Sequence, residues 1–274
     1  IEDVGDIREL PRSSGYEIAG EEVLDAYVAV TAAVGAAKSQ PRVVYTAMHG
    51  VGWETARRVF EAAGFDIPET VSAQIGPDAA FPTVAFPNPE EAGALDLAFA
   101  EAETREAELV IANDPDADRL AVGVPVADGW RRLSGNEAGL LLGWRAAARS
   151  SSGTLACSIV SSPGLAAIAH AYGLVHTETL TGFKWISRAS NLVFGFEEAL
   201  GYLVDPEKIR DKDGISAAVE FLSLMTELKS EGKTLLDHEA EFAEKFGAYA
   251  SSQISIRVTE LSEITRIMNG LRQK

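Results

Sequence analysis

Three aspartates alternate along the stretch NDPDADRL, residues 113–120, where they stand at Asp114, Asp116 and Asp118. Two carboxylates about 4 Å apart repel by roughly 4 kcal/mol at an effective dielectric constant near 20, so this crowding needs a compensating partner. Pro115 disfavours a helix here, and in an extended chain alternate residues share one face. We therefore predict that the three carboxylates converge on one hard divalent cation, and their oxygen ligands suit Mg²⁺.

The main alternatives to a magnesium loop are a calcium-binding EF-hand loop and a solvated polar turn. An EF-hand loop needs Gly at its sixth position and Glu at its twelfth, but counting from Asp114 these positions hold Arg119 and Pro125. A solvated turn fits less well, because the aspartates directly follow the apolar run 109–112. The guanidinium of Arg119 beside the cluster would clamp a phosphate that bridges to the metal.

A second acidic pair, Glu197 and Glu198, follows the apolar residues 192–194. The carboxyl end of a strand is where α/β proteins bind ligands, and two carboxylates there suit hydrogen bonds from sugar hydroxyls. An ordinary charged strand end explains the pattern equally well.

Two more stretches contain residues that suit an anionic ligand. The TGFK stretch is Thr181, Gly182, Phe183 and Lys184, and the RDKDG stretch contains Arg210 and Lys212. TGFK lies at a predicted turn from strand to helix, where free N–H groups attract anions, and the basic residues of RDKDG could meet a phosphate. Taken alone, a well-capped helix and a solvated mixed-charge loop explain these stretches better.

The composition of the 274 residues restricts the class of protein. Hydrophobic residues make up 46% of the chain, which is enough to bury a core. The single cysteine, Cys157, excludes an internal disulfide and favours the reducing cytoplasm. A net charge of −17, from 41 acidic and 24 basic residues, argues against nucleic acid and anionic membranes as partners.

Helix and strand patterns alternate along the chain without an internal repeat, which predicts an α/β fold. The predicted helices cover residues 21–37, 53–63, 90–108, 136–149, 163–172, 184–189, 215–229 and 235–246. The predicted strands cover residues 42–47, 70–75, 109–112, 120–126, 154–160, 175–179, 192–196 and 251–258. Residues 77–89 contain four prolines and are predicted to form an irregular loop. Domain boundaries are expected near residues 130 and 248.

Together these motifs resemble those of the α-D-phosphohexomutase superfamily, which includes phosphoglucomutase and phosphomannomutase. The stretch 113–119 resembles the magnesium loop of that family, 181–184 its third-domain ligand loop, 196–202 (FEEALGY) its sugar-recognition loop, and 210–214 a further motif of that domain. The resemblance implies two consecutive three-layer α/β/α domains with mixed sheets. It divides the chain into a linker from a missing first domain (1–20), domain II (21–130), domain III (131–247) and a truncated start of domain IV (248–274).

The resemblance also implies an isomerase that transfers phosphate between C1 and C6 of a hexose through a phosphoserine and a bisphosphate intermediate. The implied roles are Mg²⁺ binding by Asp114, Asp116 and Asp118, steadying of the phosphoserine by Arg119, substrate binding by Thr181, Gly182, Phe183, Glu197 and Glu198, and phosphate binding or proton transfer by Lys184, Arg210 and Lys212. The phosphoserine loop and the fourth-domain phosphate loop of the family have no counterpart in these residues. We therefore expect the chain to supply metal and sugar binding and to lack turnover on its own.

The sequence leaves the identity of the sugar and the oligomeric state open. Ala199 stands where many family members have a serine in the sugar-recognition loop, which removes one hydroxyl contact. A phosphopentomutase of the same superfamily and a non-catalytic module that binds metal or sugar phosphate are the alternatives. A phosphatase with an aspartyl nucleophile fits less well, because its Asp-x-Asp pair should follow the first strand, whereas here a long helix-rich stretch comes first.

Overall fold

The computed structural model describes residues 5–35, 40–252 and 258–273, and a short 3₁₀ helix, Ile7–Glu9, comes first. The α-helices are α1 (Glu21–Ala32), α2 (Trp53–Ala62), α3 (Asp96–Thr104), α4 (Gly135–Ala148), α5 (Gly164–Tyr172), α6 (Phe183–Ile186), α7 (Gly214–Ser230), α8 (Leu235–Phe246) and α9 (Leu261–Arg272). The strands are β1 (Val43–Thr46), β2 (Glu69–Thr70), β3 (Leu109–Asn113), β4 (Leu120–Val126), β5 (Gly129–Arg132), β6 (Thr154–Ser158), β7 (Val175–Thr179), β8 (Leu192–Glu197) and β9 (Gly201–Leu203). Within the described chain, no helix is both long enough and apolar enough to cross a membrane.

The first sheet has the strand order β2–β1–β3–β4–β5. Its first three strands are parallel, and β4 and β5 return antiparallel. Alternate residues of the central strands face opposite layers: Val44 and Val110 pack towards α3, whereas Tyr45 and Ile111 join the core on the other face. A strand covered on both faces needs an almost continuous apolar run, which explains the sequence LVIAN in β3.

The second sheet repeats this order, without a counterpart of β5, as β7–β6–β8–β9. Strands β7, β6 and β8 are parallel and β9 is antiparallel to β8. Ala156 packs with Phe183 and Ile186 of α6 on one face, and Phe194 and Phe196 belong to the core on the other. Loop β3–β4 of the first sheet and loop β8–β9 of the second are therefore topologically equivalent.

Helix α7 joins the two sheets. It contacts β3 and β4 of the first sheet and β9 of the second, and its residues Ala217, Ala218 and Phe221 are fully buried. One hydrophobic cluster includes side chains from both sheets and from this helix. The loops that follow β3 and β8 are therefore held in a fixed relation by a shared core.

The predicted α/β class with mixed sheets is confirmed, but some elements are shorter than predicted. The helix predicted from residue 21 ends at Ala32, and residues 36 and 37 of that prediction lie outside the described residues. The strand predicted over 70–75 is wrong, because the chain turns after β2 when Gln74 N bonds Val71 O. The helix predicted over 90–108 begins only at Asp96, because Gly93 takes a left-handed φ of 80° just before it.

Two short strands and one helix were not predicted from the sequence patterns. The first sheet continues through β5 to Arg132, past the boundary expected near residue 130. Strand β9 has only three residues, too few for an alternating pattern to stand out. Helix α9 was not predicted, and most of the strand predicted over 251–258 lies outside the described residues.

Candidate metal and ligand site

The acidic loop, residues 114–118, connects β3 to β4 and brings three carboxylates together. Asp114, Asp116 and Asp118 each offer an oxygen, and these oxygens all lie within 4.8 Å of one another. The loop is a tight turn and not an extended segment: Ala117 N bonds Asp114 O at 2.9 Å, and Ala117 has a φ of 59°. The carboxylates thus converge as predicted, but a turn brings them together and not the shared face of a strand.

Burial makes this convergence costly for Asp114. Its side chain is almost fully covered, and burial is the main reason why the pKa of its carboxyl is raised to about 6. The neighbouring charges of Asp118 and Asp116 raise it further, while the backbone N–H of Arg119, 3.0 Å from Asp114 Oδ1, acts in the opposite direction. A site that disfavours its own negative charge in this way favours a bound cation.

Buried polar groups hold the acidic loop from behind. Tyr45 donates its hydroxyl to Asn113 Oδ1 at 2.8 Å, and Asn113 Nδ2 donates to Arg119 O at 2.6 Å. Asn113 is fully buried, so this clamp across the loop is shielded from water. The sequence reasoning did not assign a role to either Tyr45 or Asn113, because their contact spans 68 residues.

Two basic side chains face the acidic loop. Lys212 Nζ lies 2.6 Å from Asp118 Oδ2, and Arg119 Nε lies 3.6 Å from Asp114 Oδ2 and 3.8 Å from Asp118 Oδ1. Burial acts to lower the pKa of the Lys212 ammonium, but the hydrogen bond and charge of Asp118 outweigh it and raise that pKa. Lys212 and Arg119 thus bring positive charge to the edge of the acidic cluster.

The acidic pair lies next to this cluster in space. Arg119 forms an antiparallel bridge with Gly201, and Leu120 N donates to Leu200 O at 3.1 Å, so loop β8–β9 abuts loop β3–β4. Burial is the main reason why the pKa of Glu197 is raised, and the charge of Lys212 partly offsets it. The structure therefore places Glu197, at the end of β8, beside the aspartates, and Glu198 follows it in loop β8–β9.

Glu198 faces a cleft between the two domains. This cleft has a volume of about 930 Å³, and its walls include Glu90, Arg132 and Asn136. The Glu198 carboxylate also accepts a hydrogen bond from Ser158 at the end of β6, and Ser161 Oγ in the following loop lies 3.1 Å from the same oxygen. These two serines were not identified from the sequence, since they lie about 40 residues from Glu198 and no local pattern marks them.

Only part of the TGFK stretch lies near the acidic loop and Lys212. Thr181 precedes Gly182, which takes a φ of 105° before α6, and Phe183 is buried with its ring 5.9 Å from Lys212 Nζ. Lys184 lies 5.7 Å from the ring of Trp185 and forms no ion pair with a described residue. Phe183 is therefore the member of TGFK that contacts the basic edge of the acidic cluster.

Arg210, the first residue of RDKDG, points to the backbone of the neighbouring loop. Its guanidinium donates to Ser187 O at 3.2 Å, and no ion pair joins it to any residue of the described ranges. Arg210 thus stands apart from Lys212, which pairs with Asp118. Lys212 therefore lies at the aspartates, whereas the Arg210 guanidinium has no ion-pair partner among the described residues.

Comparison with known families and proteins agrees with this geometry. Residues 24–126 match the family model described as phosphoglucomutase/phosphomannomutase, alpha/beta/alpha domain II, and residues 134–246 match alpha/beta/alpha domain III of the same family. Fold and site thus define a protein with two α/β/α domains and an acidic loop at their junction. The chain belongs to the phosphoglucomutase/phosphomannomutase family, within the α-D-phosphohexomutase superfamily.

Individual relatives support the same assignment. The chain is 56% identical over 272 residues to a Haemophilus influenzae protein named "Probable phosphomannomutase", covering 98% of this chain and 56% of that protein. It is 38% identical over 257 residues to the human phosphopentomutase, covering 86% of this chain and 42% of that protein. The chain therefore spans about half the length of the curated relatives it matches.

A solved structure shows the same fold at low sequence identity. A phosphoglucomutase/phosphomannomutase family protein from Burkholderia thailandensis superposes with a TM-score of 0.65 at 21% identity. The match covers 75% of this chain and 44% of that one. At this identity the likeness supports the fold alone.

Proposed function

We propose that this chain provides the metal- and sugar-binding part of a phosphohexomutase that moves phosphate between C1 and C6 of a hexose. The observation that carries the proposal is the contact between the two equivalent loops. It puts the three aspartates of loop β3–β4 beside the end of β8, which carries Glu197, and the start of loop β8–β9, which carries Glu198. A cation site and a hydroxyl-accepting site in contact suit a sugar phosphate, whose two ends need these two kinds of partner.

The residues of the acidic loop fit a hard divalent cation. Their donors are carboxylate oxygens from Asp114, Asp116 and Asp118, and the pKa of the Asp114 carboxyl is raised by burial and by the charges of the other two aspartates, which a bound cation would offset. We assign Mg²⁺ because it binds through a few carboxylates together with phosphate oxygens. When bound, it would neutralise charge on the transferring phosphoryl group.

The side chains around the acidic loop receive distinct roles in this proposal. Arg119, 3.6 Å from Asp114, steadies the phosphoryl donor beside the aspartates. Glu197 and Glu198 accept hydrogen bonds from sugar hydroxyls, and Lys212 holds or moves a proton near Asp118. Since Lys184 forms no ion pair with a described residue, its ammonium is free for a phosphate.

Three smaller assignments complete the substrate site. Arg210 offers a second guanidinium that is free of ion pairs with the described residues. Thr181, Gly182 and Phe183 shape the loop in front of α6 that would border the sugar. These assignments rest on the family resemblance of the TGFK and RDKDG stretches together with their places around the second sheet.

The complete reaction needs a phosphoserine, which we propose comes from outside these 274 residues. The phosphoserine would donate its phosphoryl group to a sugar phosphate, and the bisphosphate would reorient before returning the other phosphate. The isolated chain is therefore expected to bind substrate without turning it over. We place the reaction in the cytoplasm, in line with the single buried cysteine.

A phosphopentomutase is the second candidate. It is supported by the 38% identity over 257 residues to proteins named phosphopentomutase. The two candidates share the mechanism and differ in the sugar, so a substrate comparison separates them. A module that binds metal or sugar phosphate without catalysis differs from both, since its complete parent would lack turnover.

Titration calorimetry with Mg²⁺ and then with glucose 1-phosphate or ribose 1-phosphate tests this function. The unmodified chain should bind Mg²⁺, and Asp116→Ala should lose that binding, whereas the exposed Asp66→Ala serves as a control of equal charge change. Glu197→Gln should weaken the sugar phosphate without changing Mg²⁺ affinity. Equal Mg²⁺ titrations for the unmodified chain and Asp116→Ala would remove the acidic loop from the proposal.

A further inference from the structure

Short hydrogen bonds from the end of β6 and the loop that follows it hold the carboxylate of Glu198. Ser158 Oγ donates to Glu198 Oε2 at 2.8 Å, and Ser161 Oγ lies 2.8 Å from Ser158 Oγ. The backbone N–H of Glu198 in turn donates to Ser161 Oγ at 3.2 Å. Because Ser158 is only 1% exposed, water does not compete for its hydroxyl.

The number of hydroxyl protons decides which oxygen donates and which accepts in each of these contacts. Two hydroxyl protons serve three contacts among the two serine oxygens and Glu198 Oε2, the third being Ser161 Oγ to Oε2 at 3.1 Å. Both protons are used in the two shorter contacts when Ser161 donates to Ser158 and Ser158 donates to the carboxylate. The peptide N–H, the two hydroxyls and the carboxylate then form a closed ring in which each donor is used once.

The loop of residues 159–162, which follows β6 and carries Ser161, is itself anchored on two sides. Ile159 N donates to Thr179 O at 2.8 Å, which ties the loop to β7. Ser162 N donates to Asn136 Oδ1 at 2.7 Å, which ties it to α4. A side chain bonded to such an anchored loop has few rotamers open to it.

We propose that Ser158 and Ser161 are positioning residues that fix the side chain of Glu198 so that its Oε1 atom accepts from a substrate hydroxyl. The proposal rests on the function proposed above and extends it to two residues that no sequence motif marks. In the part of the chain that the structure describes, no hydrogen bond reaches Oε1, and Glu198 lines the cleft of about 930 Å³. The entropy cost of ordering the glutamate is then incurred on folding and not on binding.

Calorimetry with glucose 1-phosphate in the presence of Mg²⁺ tests the ring on Ser158→Ala, Ser161→Ala and the double variant. Each single variant leaves one hydroxyl within reach of Oε2, so its Kd should rise only about threefold. The double variant leaves none, so its Kd should rise at least about tenfold. Ser161→Thr keeps the hydroxyl and should restore the affinity.

A neighbouring serine provides the matched control. The hydroxyl of Ser162 accepts from Gly164 N at 3.2 Å and does not contact Glu198. Ser162→Ala therefore removes a hydroxyl from the same loop without opening the ring, and its Kd should stay at that of the unmodified chain. Equal losses for Ser162→Ala and Ser161→Ala would overturn the proposal, because a general loosening of the loop would explain both.

Crystal structures of the unmodified chain and the double variant give a readout that needs no ligand. The Glu198 side chain should leave its position in the double variant, and a Glu198 that keeps its rotamer overturns the proposal. The proposal also fails if Glu198→Gln weakens glucose 1-phosphate while the double serine variant binds it normally. If Glu198 moves as expected but the unmodified chain binds no sugar phosphate, the proposed function is overturned and the serine–glutamate contact stands.

Discussion

Leu120 donates its backbone N–H to the carbonyl oxygen of Leu200 at 3.1 Å, across 80 residues of chain. This bond joins the start of β4 in the first sheet to the loop before β9 in the second. Beside it, Arg119 pairs with Gly201. The loop with the aspartates and the turn that carries Glu197 at the end of β8 and Glu198 just after it are thus parts of one hydrogen-bonded unit at the domain junction.

The equivalence of these two loops explains why both acidic groups meet at one place. In each sheet the chain leaves a buried parallel strand, turns through acidic residues and returns antiparallel. The carboxyl ends of such strands are the positions where α/β sheets bind ligands. The two sheets have the same topology, and both contact α7. Their equivalent turns therefore lie together and supply acidic side chains from two sides of one site.

The first prediction concerns the close approach of α7 to the acidic loop. A Cβ atom on Gly214 would lie 2.1 Å from Arg119 O and 2.5 Å from Asn113 Nδ2. Because Arg119 O is a backbone atom, no side-chain adjustment can relieve the first contact. Gly214→Ala should therefore destabilise the chain by about 2 kcal/mol and weaken Mg²⁺ binding, because the loop must shift. Urea unfolding and calorimetry measure the two effects. Gly76→Ala, where a Cβ meets nothing within 4 Å, is the control and should change neither.

The second prediction concerns the pH dependence of stability. The pKa of Asp114 is about 6 in the folded chain against an ordinary value of 3.8, so the folded state binds more protons between these values. Its contribution to the free energy of unfolding is therefore present at low pH and is lost as pH rises from about 4 through about 6. Asp114→Asn removes this loss and should stabilise the metal-free chain by about 1–3 kcal/mol at neutral pH.

Urea unfolding of both proteins across this pH range measures the effect of Asp114→Asn. The difference in stability between the two should grow as pH rises through about 6 and should shrink when Mg²⁺ is added to the unmodified chain. Asp66→Asn, an exposed aspartate, controls for the loss of a charge. A stability difference that is constant with pH would refute the raised pKa as its cause.

The third prediction concerns competition between Lys212 and a metal ion for Asp118. The ammonium lies 2.6 Å from Asp118 Oδ2, so a cation at the aspartates is opposed by its charge. Lys212→Met should raise Mg²⁺ affinity by about threefold to tenfold, while weakening glucose 1-phosphate, whose negative charge the ammonium attracts. Lys208→Met, which breaks the similar pair between Lys208 and Asp205, is the control in calorimetry. Lower Mg²⁺ affinity in Lys212→Met would contradict this prediction.

Sequence reasoning located the acidic loop because its information is local. Alternating aspartates behind an apolar strand indicate a cluster, and β4 and β7 were predicted with their observed bounds for the same reason. The turn itself was not predictable, since the left-handed conformation of Ala117 is set by contacts elsewhere: Gly214 N bonds Ala117 O and a Cβ on Gly52 would touch Ala117.

Long-range partners are the part of the site that sequence patterns could not supply. The hydroxyl of Ser158 bonds Glu198 across 40 residues of chain, and no sequence pattern around either residue indicates that the two are in contact. The repeated strand order was also hidden, because topology can repeat while residues differ: loop β3–β4 reads DPDADR and loop β8–β9 reads EAL. Edge strands such as β5 are missed because a half-exposed strand lacks a clear alternation of apolar and polar residues.

The fourth prediction concerns the brace between α1 and α7. Tyr27 donates its hydroxyl to the carboxylate of Asp213, with distances of 2.9 and 3.0 Å to its two oxygens, while Asp213 caps the start of α7 through Ile215 N. Burial is the main reason why the pKa of Asp213 is raised, and removing the Tyr27 hydroxyl takes one hydrogen-bond donor from this buried carboxyl group. Tyr27→Phe should therefore lower the free energy of unfolding by about 1–2 kcal/mol, measured in urea. Tyr16→Phe, at an exposed tyrosine, should leave stability unchanged, and an equal effect of the two substitutions would count against the brace.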